Sequence, residues 1–433
     1  MTAVLPDPGI EVEICLGVGR TDTAAVWDTG RFDVNTWTTS DTSLGDWVDV
    51  SCSVLDGVDM TAGASNDDGV VTRWEAATCS FTLVGYQWNP NSGPYAGLLA
   101  PNLPVRVRWR PVGSDTWMTA FLGAVGDSGF AYTHKGNRPR ATVAATDGTR
   151  ILAAFDGVEQ SPAGYGETAA QRVTRIADNA GWPLNLRDIT PGGVAVKETT
   201  LAGVAWTELL AVADTDLALL WVTRDGRLAY RPQGKVTPQR QLTAVIQCGA
   251  PVKAGPVEIV PATRERAGET TVTPMDITGQ QPTITRNVVS ISRQKSEVAG
   301  TEPATFTARD ETSVSRFFTH AYSRTDLLHT DDAWNQKVAD AVLASSAWPT
   351  TAPNMVALDS RADYDATAVL LMLEPSISIG VSDGVDTWQC EPAGWKVTLS
   401  RARVYGEITL TDVSRWFGSE WDGAQWDIDK WGF

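Results

Sequence analysis

Apolar and polar residues alternate with a period of two in several short stretches of this chain. Trp47-Val48-Asp49-Val50-Ser51-Cys52-Ser53-Val54 is one, and Arg73 to Val84 (Arg73-Trp74-Glu75-Ala76-Ala77-Thr78-Cys79-Ser80-Phe81-Thr82-Leu83-Val84) is another. Val105-Arg106-Val107-Arg108-Trp109-Arg110 alternates apolar with basic, and Thr116–Gly123 and Ala141–Thr146 continue the series. A period of two is that of a half-buried strand, so these stretches predict an antiparallel barrel or sandwich ending near Phe155. Between the second and third lie Asn89-Pro90-Asn91-Ser92-Gly93-Pro94-Tyr95 and Leu98-Leu99-Ala100-Pro101-Asn102-Leu103-Pro104. Their prolines and glycines forbid regular pairing and predict a long, ordered crossing loop.

The period changes after Ser161-Pro162-Ala163-Gly164. Thr168 and Gln171 form a capping box, Val173, Ile176, Ala177 and Ala180 recur at helical spacing, and Gly181 with Pro183 closes the helix. A second helix around 203–213 presents Trp206, Leu209, Leu210 and Ala213. Leu217–Thr223 then turns through Arg224-Asp225-Gly226, a strong hairpin signal, into Arg227-Leu228-Ala229-Tyr230. Short strands return from about 236, including Asn287–Arg293, followed by a loop-rich stretch at Asp310-Glu311-Thr312-Ser313. A helix over about 332–346, with Trp334, Val338, Ala341 and Val342 on one stripe, is stopped by Pro349. Strands at Ser376–Val381, Gly394–Leu399 and Val404–Leu410 complete the pattern.

These shifts divide the chain into a Trp/Asp-rich arm (1–46), a first barrel (47–155), a small α/β unit (156–235), a second barrel region carrying the helix (236–412) and a Trp-rich tail (413–433). The expected class is mainly β with a small α/β insertion. At 433 residues and 42% apolar content, there is enough material for several packed cores. No stretch has the apolar length of a membrane helix, and the N-terminus lacks the layout of a signal peptide. Synthesis in the cytoplasm is therefore the expectation.

Net charge is −17, and the excess sits at the ends: residues 1–70 hold 13 Asp and Glu against Arg20 and Arg31, and 417–433 hold four against Lys430. That sign opposes tight phosphate binding and suits a conduit past which nucleic acid slides. Eighteen tryptophans are many for a chain of this size. Trp27, Trp37, Trp416, Trp421, Trp426 and Trp431 lie in polar, turn-rich surroundings, which, with Tyr95 of the crossing loop, makes them candidate interface residues. The last four recur every five residues, matching neither helix nor strand, as in an irregular segment laying indoles into pockets of a neighbour or of its own subunit.

No catalytic, cofactor or metal constellation emerges. Five scattered cysteines form no CxxC pair, and Cys52 and Cys79 are expected to be buried free thiols on strands, with a bridge between them as the lesser alternative. His134, His320 and His329 share no ligand spacing, and His134 is expected at a loop tip. Asn66-Asp67-Asp68-Gly69 reads as a turn rather than a calcium loop, and Asp331-Asp332 as a helix cap rather than a carboxylate pair. There is no GxSxG, P-loop or HExxH.

Taken in order, Trp74-Glu75-Ala76-Ala77-Thr78, Asn89–Tyr95, Leu103–Arg108 and Phe121-Leu122-Gly123 resemble the tail hub proteins of long, non-contractile-tailed phages, also called minor tail proteins, which are similar to the baseplate hub of contractile tails. Asn287–Ile291, Asp310–Ser313, the helix before Pro349 and the Trp-Asp-rich terminus resemble the second half of the same family. The resemblance implies two tube-like barrels per chain and a homotrimer whose six barrels adapt a six-fold tail tube and distal tail ring to a three-fold tip. It implies a virion protein at the tail tip. Its expected partners are the distal tail ring, the tail tube or tape-measure protein, and tip or fibre proteins. Phage DNA would pass through without specific binding. The crossing loop would then reach a neighbouring ring or subunit. A receptor or carbohydrate-binding tail-tip protein is the alternative, since exposed indoles also stack on sugar rings, and a wall-degrading hydrolase is a third reading.

Overall fold

A computed structural model describes residues 9–16, 46–65, 73–96, 98–110, 115–135, 138–233, 242–247, 271–272, 274, 276–279, 286–295, 302–349, 353–361, 366–375, 377–382, 387–400 and 403–412. The first strand group comprises β1 (Gly9–Leu16), β2 (Asp46–Asp49), β3 (Val54–Ser65), β4 (Arg73–Trp74), β5 (Thr78–Val84), β6 (Pro104–Arg110), β7 (Met118–Lys135) and β8 (Arg138–Thr146). Apart from β4, which pairs with β3, they lie in the order β3-β5-β8-β7-β6-β1-β2. The alternation does what its period requires: β5 buries Cys79, Phe81 and Leu83, and β6 buries Val105, Val107 and Trp109, with its arginines on the opposite face. Each such Val, Leu or Phe contributes about 1.5–3 kcal/mol on leaving water. β7 runs well past the expected Gly123, because a bulge between Val125 and Phe130 carries the strand through Gly126-Asp127-Ser128-Gly129. His134 is thereby in β7, paired through its backbone with Pro139 beside the hairpin turn.

The α/β unit contains α1 (Thr149–Ala154), β9 (Glu167–Thr168), α2 (Ala169–Asn179), β10 (Arg187–Ile189), β11 (Ala195–Val196), α3 (Ala205–Thr215), β12 (Leu219–Val222) and β13 (Leu228–Arg231). The capping box closes as expected: the Gln171 amide donates to Thr168 Oγ1 (3.3 Å) and the Thr168 amide to Gln171 Oε1 (2.9 Å). The hairpin signal also holds, with Gly226 at φ +82° turning β12 into β13. Val173, Ile176, Leu209, Val212, Leu220, Leu228 and Tyr230 form this unit's core.

Further along come β14 (Leu242–Gln247), β15 (Thr271–Val272), β16 (Asp276–Gly279), β17 (Val288–Arg293), β18 (Phe306–Arg309), α4 (Glu311–Phe317), β19 (Ala321–Leu327), α5 (Ala333–Ser346), β20 (Pro353–Asp359), α6 (Ala366–Met372), β21 (Ser378–Ser382), β22 (Thr387–Ser400) and β23 (Arg403–Asp412). Strands β17, β18 and β19 make a separate three-stranded sheet on which α5 packs, with Val289, Ile291, Leu327, Trp334 and Val338 between them. The stretch expected as loop at Asp310–Ser313 instead starts α4. The Asp310 carboxylate accepts from the Ser313 amide at 2.8 Å, an N-cap that a short, polar helix hides from periodicity.

The remaining strands form the second group, and it is continuous with the first. From Gly63↔Gly394 to Val58↔Leu399, β3 pairs antiparallel with β22, so fifteen of the described strands make one sheet. Gly57, at φ +119°, permits the join, since a Cβ there would fall 2.3 Å from the Leu399 carbonyl oxygen. Val58, Met60 and Phe81 of one group share a core with Val356, Leu370, Val397 and Ile408 of the other. The architecture is mainly β with a small α/β insertion, as expected. Cys79 is buried, whereas Cys52 sits exposed in the 3-10 turn Ser51–Ser53 and not on a strand, because the chain bends there between β2 and β3. Among the described residues no helix is long and apolar enough to cross a membrane.

Candidate functional site

The residues that organise this molecule sit where its three cores meet. Helix α3 ends in Asp214-Thr215 with Asp216 as its C-cap, three polar residues that are all buried. Each ties a different part of the fold. Asp214 Oδ2 accepts from Arg73 of β4 at 2.5 Å and from Arg324 of β19 at 3.0 Å. Thr215 Oγ1 accepts from the Leu328 amide at 2.9 Å, and its carbonyl accepts from Trp334 Nε1 of α5 at 2.8 Å. Asp216 accepts from the Tyr230 hydroxyl at 2.6 Å and the Val194 amide at 2.9 Å. Burial raises the Asp216 carboxyl to about 6, against those hydrogen bonds. One turn of chain therefore fixes the strand group, the α/β unit and the β17–β19 sheet against one another.

A second clamp holds the β12–β13 hairpin to the later strands. Trp221 Nε1 donates to Glu374 Oε2 at 2.7 Å, and the Arg224 amide to Glu374 Oε1 at 3.2 Å. The Arg224 guanidinium donates to the carbonyls of Leu373 (2.7 Å) and Leu370 (3.0 Å) and lies 5.1 Å from the Trp395 ring. Trp395 in turn packs on Trp74 at 5.2 Å. Burial lifts the Glu374 carboxyl to about 7 despite the facing arginine, and lowers Arg224 to about 10.

On the outer face of β1 and β6, Arg106 meets Glu13 at 2.7 Å and Arg108 meets Glu11 at 2.7 Å and Glu13 at 2.9 Å. Arg106 also lies 4.3 Å from the Trp47 ring. Two of the three alternating arginines of β6 are thus matched strand to strand by the glutamates of β1, while Arg110, opposite Gly9, is exposed and lies 5.3 Å from the Trp117 ring.

His329 is buried with Nε2 facing Asn335 Oδ1 at 2.8 Å. Asn335 spends its amide on the Ala304 carbonyl (2.9 Å), so His329 Nε2 carries the proton. Burial, aided by nearby Arg293, lowers the ring to about 4. Unfolded, it would titrate near 6.5, so the folded state loses up to about 3 kcal/mol as pH falls from about 6.5 to about 4. His329→Leu should remove that loss. Urea unfolding at pH 7 and pH 4.5 is the check, and an equal acid sensitivity in the variant would refute it.

Tyr95 is half-buried and stacks on Trp88 of its own loop at 4.9 Å, while Trp88 is buried in the sheet's core. The loop's apolar payload at these two rings is directed into its own chain, and Tyr86 is its exposed aromatic. Trp27, Trp37, Trp416, Trp421, Trp426 and Trp431 lie outside the described residues, as does the Asn66–Gly69 turn. Asp331 accepts from the Ala333 amide at 2.9 Å, a capping role, while Asp332 pairs with Arg293 at 2.6 Å. Among the described residues no group of three or more His, Cys, Asp or Glu side chains is placed to hold a metal ion. Sequence reasoning missed Asp214, Glu374, Arg224 and His329. Only Asp214-Thr215-Asp216 carried a signal, a polar triplet set directly between two apolar runs.

No protein-family model matches the chain, and no curated protein matches it in sequence. Solved structures match it in fold. The tail protein from Neisseria meningitidis MC58 superposes with a TM-score of 0.56 at 13% identity, covering 94% of this chain and 98% of that one. The 43 kDa tail protein of prophage MuSo2 from Shewanella oneidensis gives a TM-score of 0.53 at 10% identity, covering 93% and 98%. At such identities the likeness is one of fold, and it runs nearly end to end in both pairs. The chain has the fold of phage tail proteins, in agreement with the resemblance to tail hubs read from its sequence.

Proposed function

We propose that this chain is a non-enzymatic structural component of a phage tail tip. It acts as a trimeric hub that adapts the six-fold tail tube and distal tail ring to a three-fold tip and lines part of the DNA-ejection channel. The observation that carries this reading is the near-complete overlap in fold with two tail proteins. The single sheet running through both strand groups supports it, because a rigid join is what two neighbouring segments of a ring wall require. The net charge of −17 is compatible with a channel from which DNA must slide freely. The distal tail ring, tube or tape-measure protein and tip or fibre proteins are the proposed partners.

Light scattering of the purified protein tests the oligomeric part. With a subunit of 46.5 kDa, a closed three-fold ring has a mass of about 140 kDa. Imaging of tails labelled on this chain tests its position. A protein that stays monomeric alone and never enters tails would remove the proposal.

A further inference from the structure

Where the two strand groups join, the sheet has one covered face and one open face. Met60, Cys79, Phe81, Val143, Val397 and Ile408 point into the shared core. Side chains alternate along a strand, so their neighbours in β8, β5, β3, β22 and β23 stand on the other side. The register carries that side across the join without a break. One row runs through Ala144, Ser80, Asp59 and Thr398, each directly opposite the next on the adjacent strand. The next row runs through Thr78, Thr61, Lys396 and Glu407 in the same way. Ala144, Asp59, Thr78, Thr61 and Lys396 are exposed, as is Thr142, which lies opposite Thr82 beside the first row. Both strand groups therefore contribute to one open face of short, hydroxyl-bearing side chains.

Few groups on this face can grip a partner. The Thr398 hydroxyl donates to Asp59 at 2.6 Å, and the Tyr405 hydroxyl donates to Glu407 at 2.9 Å. The Thr82 and Thr142 hydroxyls stand 3.5 Å apart. Lys396, opposite Glu407, is the only cation in the two rows. The half-buried Leu55 and Val84 share this side but sit at the far end of β5, and the Tyr405 ring at the margin is covered by Arg403 at 4.6 Å. A stable protein interface centres on large apolar or aromatic anchors, and firm hold on phosphates needs clustered Lys and Arg. Stacking on sugar rings needs open aromatic faces. The two rows offer none of these. Threonine and serine hydroxyls instead hold water by donating and accepting, and carboxylates engaged by hydroxyls beside a lysine keep the charge close to balance. Such a face neither pins a polyanion nor drives it off.

We propose that this hydroxyl-lined face across the β3–β22 join is the surface past which double-stranded DNA slides; the inference rests on the reading of the chain as lining an ejection channel. The test is DNA release from triggered particles, followed with an intercalating dye, for particles carrying full-length wild type, T142R, T61R, T142S or, as a control off this face, L184R. Thr142 and Thr61 are exposed, so the arginine variants should melt as wild type does and enter tails in wild-type number. Each copy then adds a fixed cation that meets passing phosphates. Release should slow by about tenfold or more, and the delay should shrink as salt is raised. T142S and L184R should release DNA as wild type does. Wild-type release in both arginine variants, or a delay that salt leaves unchanged, overturns the inference while the hub reading stands. Folded arginine variants that fail to enter tails would mean that the face packs against protein, and that also overturns it. Absence of the wild-type chain from tails overturns the inference and the hub reading together.

Discussion

Asp214→Ala should be among the most destabilising single substitutions in this chain, costing about 2–4 kcal/mol. Breaking one partner out of a buried ion pair typically costs about 3–5 kcal/mol, because the remaining charge keeps its desolvation penalty. Two features moderate that figure here. Arg73 keeps about a third of its side chain in solvent, and Arg324 retains Asp326 at 2.8 Å. Asp214 itself is 2% exposed and lies where α3 touches β4 and β19, so its loss is felt by two packed units at once. Asp214→Asn keeps the shape and one acceptor, and should cost roughly half as much. Urea unfolding gives the magnitude, and hydrogen exchange gives the location: protection should fall first in β19 and at Arg73–Trp74. A double-mutant cycle of D214N with R324Q should show coupling above about 0.5 kcal/mol. Additive effects, or unchanged exchange in β19, would mean that the ion pairs are incidental to the junction.

The difference between what the sequence disclosed and what it withheld follows from range. Alternation in Thr78–Val84 and Pro104–Arg110 is a local signal, and both became strands with the expected faces buried. The Thr168–Gln171 box and the Asp225-Gly226 turn are chemically complete within four residues, and both formed. The pairing of β3 with β22 links residues more than three hundred positions apart, and neither strand's composition names its partner. Nothing in the local sequence singles out Glu374, and Arg224 read as one turn residue among several. Their roles arise when the hairpin meets the segment after α6. Asp214-Thr215-Asp216 was the exception, a buried polar triplet whose neighbours on both sides are apolar. Such a triplet needs partners wherever it is buried, although sequence alone does not say that they come from β4, α5 and β13.

The clamp at Glu374 predicts a pH dependence opposite to that of His329. Its carboxyl titrates near 4.5 when unfolded and at about 7 in the folded protein, so between those values the folded state holds the extra proton. The stability this contributes is therefore complete below about pH 4.5 and lost as pH rises through about 7, a change of up to about 3 kcal/mol for a shift of this size. Asp216 and Asp147, both raised to about 6 by burial, slope the same way, while His329 slopes against them. The total curve therefore mixes these groups with others, Glu208 among them, and the informative quantity is the difference between wild type and Glu374→Gln. The glutamine can still accept from Trp221 Nε1 but does not titrate, and Arg224 stays protonated throughout because burial takes it only to about 10. Urea unfolding at half-unit steps from pH 4 to 8 should show wild type losing more stability than the variant, with the gap opening between about pH 4.5 and 7 and constant above that. Parallel curves would show that the carboxyl titrates alike folded and unfolded. The predicted divergence would mean that the hairpin of the α/β unit is held to the second strand group most firmly under mildly acidic conditions.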